Sequence, residues 1–118
     1  MKHFASATLT ALAATPVLAQ SYECMLDHLC FADECRDPAL TLPLTIDGDN
    51  ALLGPPDDAL ALSALPFDAP ARRVFVSEDG ADVFFATLGE NLDFVMTSHL
   101  VNPAYRYAVT TGQCQEVR

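Results

Sequence analysis

The chain has 118 residues, with sixteen acidic against six basic side chains, a net charge of −10 and four cysteines. That length supports one domain with a modest core and not two. The acidity opposes binding to nucleic acid and to anionic membranes, admits a basic partner or cationic ligands, and is accounted for more simply as surface charge that keeps an exported protein soluble.

Residues 1–19 read as a cleavable secretory signal peptide. Lys2 and His3 form a short basic start, Phe4 to Val17 carry no charge and much Ala and Leu, and Val17-Leu18-Ala19 suits cleavage after Ala19. The run is too short and too Ala-rich for a membrane span, which needs about 20 strongly apolar residues. Pro16 also suits the end of a signal better than a helix interior. A lipoprotein would need a cysteine at the cut; the first is Cys24, so no membrane anchor is expected. Removing the leader leaves a single domain over 20–118, with five arginines, no lysine and all sixteen acids, hence a net charge of −11. Its many Leu, Val and Phe argue against disorder.

Cys24, Cys30, Cys35 and Cys114 all lie in that domain. An even count in a short exported chain predicts a disulfide framework and a periplasmic or secreted location. Three pairings are possible, and chain entropy does not separate them, because each closes one short and one long loop. Cys24–Cys114 with Cys30–Cys35 is the expected pairing, since it ties the first strand to the last and closes the sheet. The rival is a four-thiolate zinc site. The spacings lack the tight C-x-x-C pairs such sites use, and no C-x-x-C opens a helix for redox chemistry. No metal or other cofactor is expected.

Residues 20–37 read as a short strand around Ser21–Leu26 followed by a looped segment to Asp37. From Leu40, a clean alternation sets Leu40, Leu42, Leu44 and Ile46 against Thr41, Pro43 and Thr45, which is the period of a strand. Pro43 places that strand at an edge or a bulge. Asp47-Gly48-Asp49-Asn50 is a turn, Ala51–Leu53 a brief apolar stretch, and Gly54-Pro55-Pro56-Asp57-Asp58 a second break. Ala59–Leu65 fits either a strand, by its alternation, or a short helix, by its Ala and Leu content. Further strands are expected over Arg73–Glu78, Ala81–Leu88, Leu92–Leu100 and Tyr105–Thr111, with hairpin signals at Asp79-Gly80 and turns at Gly89-Glu90-Asn91 and Asn102-Pro103. Turn signals at this spacing predict an all-β fold, a small antiparallel barrel or sandwich stapled by two disulfides.

No motif fixes a reaction. Asp47, Asp49 and Asn50 suggest a calcium loop, but Leu52 and Asp58 stand where an EF-hand needs Gly and Glu. His28 and His99 are too few for a three-ligand catalytic metal site. Ser63, Ser77 and Ser98 lack a nucleophile elbow, and Ser98 and His99 would face opposite sides of a strand. Arg72-Arg73 could grip an anion, but it is expected to pair with neighbouring acids at the base of a hairpin. Of Phe84 and Phe85, one should be core; the other, if exposed, would mark a contact patch or a covered second face. Tyr105 and Tyr107 share a face and are expected in the core.

Tyr22-Glu23-Cys24 after the leader and Gly112-Gln113-Cys114 near the end resemble the disulfide-closed ends of the small β-barrel inhibitors of C-type lysozyme. That resemblance covers the two ends alone and implies a periplasmic inhibitor of a basic enzyme. The wider plan, a Cys24…Cys30…Cys35 cluster, then strands and a terminal Gly-x-Cys, is similar to uncharacterised exported proteins of alphaproteobacteria. The resulting expectation is a non-enzymatic exported binding module. The alternatives are a carrier of small apolar ligands inside the barrel and, more weakly, a small hydrolase. Asp57, Asp58, Glu78, Asp79 and Glu90, in loops where acids adjoin apolar residues, are the expected contact residues.

Overall fold

A computed structural model describes residues 19–31, 33–66, 72–79, 81–101 and 107–117, with the backbone alone for Glu78 and Asp79. The leader read over residues 1–19 lies outside them, Ala19 apart, as do Gly80 and Tyr105. The described residues form nine strands and no helix: β1 (Gln20–Phe31), β2 (Glu34–Arg36), β3 (Leu40–Asp47), β4 (Asn50–Leu53), β5 (Leu60–Ala64), β6 (Arg72–Asp79), β7 (Asp82–Gly89), β8 (Asp93–His99) and β9 (Tyr107–Val117). Every ladder is antiparallel. From β3 to β9 each strand pairs with the next, and β1 joins β3 on one edge and β9 on the other. The choice between barrel and sandwich thus resolves as a closed eight-stranded barrel, in which closure removes the free sheet edges. β2 stands outside the ring. It makes a hairpin with β1 over Leu29↔Arg36, Cys30↔Cys35 and Phe31↔Glu34, and β3 then continues along the same edge.

Period-two patterning builds the core. In β3, Leu44 and Ile46 are buried and Leu42 half-buried, while Thr41 and Pro43 are exposed. The same alternation sends Tyr22, Leu26, Leu53, Leu62, Phe75, Leu88 and Phe94 inward. Eight strands leave an interior just wide enough for such side chains. Cys24–Cys114 crosses a rung of the closing β1–β9 ladder inside this core, and Cys30–Cys35 crosses a rung of the β1–β2 hairpin. Both bonds have the expected pairing, and closed disulfides fit an oxidising compartment.

Three readings of the strands need correction. The segment after Leu26 is strand, not loop. Asp27 is an extra residue in β1, so the register with β9 passes from Leu26↔Gly112 to His28↔Thr111. This bulge breaks the alternation that marks a strand, then restarts it in opposite phase. Leu29 and Phe31 take over the inward positions, and His28 and Cys30 turn outward. Pro43, second, is in an internal strand. Its carbonyl accepts from the Gly54 N–H at 2.9 Å, just past the last β3–β4 rung at Leu44↔Leu53. A strand residue points its N and O the same way, so the missing N–H faces the end of that ladder and no bond to β1 is lost. Third, the last strand does not stop at Thr111 but runs to Val117 along β1. The open reading of Ala59–Leu65 resolves as strand. β5 makes four rungs with β4 and is too short for a stable helix.

Candidate contact surface

Chain connectivity separates the acidic loops. In an up-and-down barrel the β4–β5 and β6–β7 connections lie at one end and the β7–β8 turn at the other. Asp57, Asp58, Glu78 and Asp79 therefore share an end that Glu90 does not. Asp57 and Asp58 are exposed, in a turn closed by the Asp58 N–H donating to the Pro55 carbonyl at 2.9 Å. Glu78 and Asp79 sit on the last hairpin rungs, opposite Val83 and Asp82. Glu90 is exposed in a turn where Leu92 N–H donates to the Gly89 carbonyl at 3.0 Å. Asp47↔Asn50 closes the β3–β4 hairpin around Gly48, whose φ of 64° suits glycine.

The polar residues singled out earlier do not converge. Ser98 is buried inside the barrel and His99 is exposed outside it, back to back as expected. Arg73 does not pair with acids at the hairpin base. It enters the barrel mouth, where its two terminal nitrogens donate to Gln20 Oε1 at 2.8 Å and Tyr22 Oη at 2.9 Å. Its guanidinium also lies 5.8 Å from the Tyr22 ring centre. The reason is phase: Phe75 is inward on β6, so Arg73, two residues earlier, is inward too. Among the described residues the one ion pair is Arg36–Glu34, exposed at 2.9 Å, and pairs of that kind add little stability.

The outer wall over β6 to β9 is different in kind. One line of rung partners runs Val76↔Phe85↔Thr97↔Val109↔Cys30, and the next runs Val74↔Thr87↔Val95↔Thr111↔His28. Every side chain in both lines points outward, and none is a carboxylate or a guanidinium. Phe85 is 39% exposed, Val109 38% and Val95 36%. Val83↔His99↔Tyr107 extends the tile, and Tyr107 is 51% exposed. Tyr107 is thus not core, because the inward places on β9 belong to the even-numbered Ala108, Thr110 and Cys114. Of the phenylalanine pair, Phe85 is the exposed member and Phe84 lies half-buried on the other face. Four strands at about 4.8 Å and five residues at about 3.3 Å make a tile of roughly 300 Å². That is the centre, not the whole, of a standard interface of about 800 Å² per partner. The surround is mainly acidic: Glu90 and Asp93 stand at one end, beside the exposed Arg72, and Asp82 at the other, with Asp27, Glu23 and Glu116 exposed along β1 and β9.

Sequence reasoning expected one of Phe84 and Phe85 to face outward, without saying which, and missed the tile. The available signal was that β6 and β7 are apolar in both phases, Val74 and Val76 against Phe75, and Val83 and Phe85 against Phe84 and Ala86. A strand with one wet face should not look like that. No protein family, no curated protein and no solved structure matches this chain.

Proposed function

We propose that the protein is an exported, periplasmic binding module that grips a basic protein by contact, without catalysis. The observation that supports this reading is the tile around Phe85 and Val109, free of carboxylates and guanidinium groups, on a predominantly acidic surface. Contiguous exposed apolar residues rimmed by charge are the usual make-up of a contact site, with the rim supplying steering and the centre supplying affinity. The acidic rim selects a partner with basic side chains around an apolar patch. A second copy of the chain would bring two bodies of charge −11 together and is disfavoured at low salt. The barrel interior is occupied by Leu44, Leu88 and Phe94, each 2% exposed or less, which favours surface contact over an interior ligand.

C-type lysozyme is the first probe, because it is basic and because the chain's ends resemble those of its inhibitors. Calorimetric titration should give binding that weakens as salt rises, since exposed rim charges are screened beyond about 10 Å at 0.1 M salt. Phe85→Asp should abolish the heat while leaving the unfolding free energy within about 1 kcal/mol of wild type, as a change at a partly exposed position does. Absence of binding removes lysozyme as the partner. Binding to lysozyme that survives Phe85→Asp contradicts the tile.

A further inference from the structure

We propose that Cys30 and Cys35, once their disulfide is reduced, form with His28 a three-ligand site for a thiophilic cation such as Zn2+ or Cu+. The ligand atoms of these three residues already lie within 4.8 Å of one another. The Asp27 bulge creates the cluster. It re-phases β1, so that His28 and Cys30, two residues apart, both point outward, and Cys35 is the rung partner of Cys30.

The backbone holds this arrangement without the S–S bond. His28 is fixed by its rung with Thr111 and Cys30 by its rung with Val109, while Leu29↔Arg36 and Phe31↔Glu34 keep the hairpin closed on either side of Cys35. Around zinc, sulfurs at about 2.3 Å and an imidazole nitrogen at about 2.0 Å sit roughly 3.5–3.8 Å apart, a spacing that small side-chain rotations reach from here. Two thiolates and an imidazole suit Zn2+ and Cu+ and exclude Mg2+ and Ca2+, which take oxygen. Three protein ligands leave a fourth position for water or another molecule.

Access makes the site redox-gated. Cys24 and Cys114 are 0% and 3% exposed, whereas Cys35 is exposed and Cys30 half-buried. A dithiol reductant reaches the hairpin bond first. It gives two electrons and two protons to the S–S bond, yielding two thiols, and is itself oxidised to a disulfide. The cation then displaces the two thiol protons and takes up two thiolates and the neutral imidazole. In the oxidised protein neither sulfur is available.

The test uses the 20–118 chain, treated with a dithiol, desalted without oxygen and titrated with Co2+. The expected result is a thiolate-to-cobalt charge-transfer band in the reduced protein and none in the oxidised one, with the band removed by Zn2+. Alkylation should label Cys30 and Cys35 and leave Cys24 and Cys114 unlabelled. Since even outer-shell groups alter metal affinity 10–100-fold, His28→Ala should weaken binding at least about tenfold. Cys30→Ser/Cys35→Ser should keep the β spectrum and lose the band. A reduced protein with two labelled cysteines and no band overturns the proposal. So does undiminished affinity in His28→Ala, or labelling of all four cysteines.

Discussion

The two disulfides use the same bond in different ways. Cys24–Cys114 spans 90 residues and lies in the core, where it locks the ladder that closes the barrel. Cys30–Cys35 spans 5 residues at a hairpin that its own rungs already hold. In the chain-entropy account the long loop is worth about 4–5 kcal/mol and the short one about 2. We therefore expect Cys24→Ser/Cys114→Ser to lower unfolding free energy by about 2–5 kcal/mol. Cys30→Ser/Cys35→Ser should lower it by less, read as shifts in the urea midpoint. The reverse order would mean that barrel closure does not depend on the buried bond. Gly112 is the other residue on which closure rests. A Cβ there would overlap the Met25 carbonyl and the Leu26 Cα, both backbone atoms that cannot rotate away. Gly112→Ala should cost about 1–3 kcal/mol, the range for overpacking a close contact. An alanine variant as stable as wild type would show that β1 and β9 can move apart at the bulge.

Between elements, the ladders differ in length, and that sets where the barrel opens. β1 and β9 share ten rungs, while β5 and β6 share only Ser63↔Val76 and Ala64↔Phe75, extended by the Leu65 N–H donating to the Val74 carbonyl. The Ala61 N–H points toward β6 beyond the last rung. Hydrogen exchange should find it among the fastest amides within the strands, while amides of Tyr22–Leu26 exchange near the global unfolding limit. Uniform protection across β5 would contradict a short seam. The same elements show what the sequence could and could not reveal. Leu42, Leu44 and Ile46 announced β3 by alternation, and the Asp79 turn announced the β6–β7 hairpin, because one local pattern suffices for each. Residues Asp27–Phe31 were misread, because a bulge depends on the register with β9, eighty residues away. Val74 and Val76 were assigned a common face, but which face is inward follows from Phe75↔Ala86, a pairing that no local pattern contains. Tyr107 was placed in the core for the same reason: its phase is fixed by His99 across the rung.

At the scale of the molecule, charge and shape divide the labour. Sixteen acids against five arginines in residues 20–118 give a negative field that would steer a basic partner of the kind proposed, and that field falls off with salt. The tile on β6 to β9 carries no carboxylate or guanidinium, so on the proposed reading affinity that persists at high salt would belong to it. Acidic loops at both ends of the barrel would steer the proposed partner but cannot by themselves form one contact, because Glu90 and Asp57 are at opposite ends. The measurement that bears most directly on this account is site-specific photo-crosslinking in cells. A photoreactive phenylalanine analogue would replace Phe85 in one variant, Asp57 in a second and Glu90 in a third. The account predicts a crosslinked product from position 85, to a protein of basic isoelectric point, that is stronger than the product from either loop and outlasts added salt. Crosslinks from positions 57 or 90 with none from 85 would contradict it.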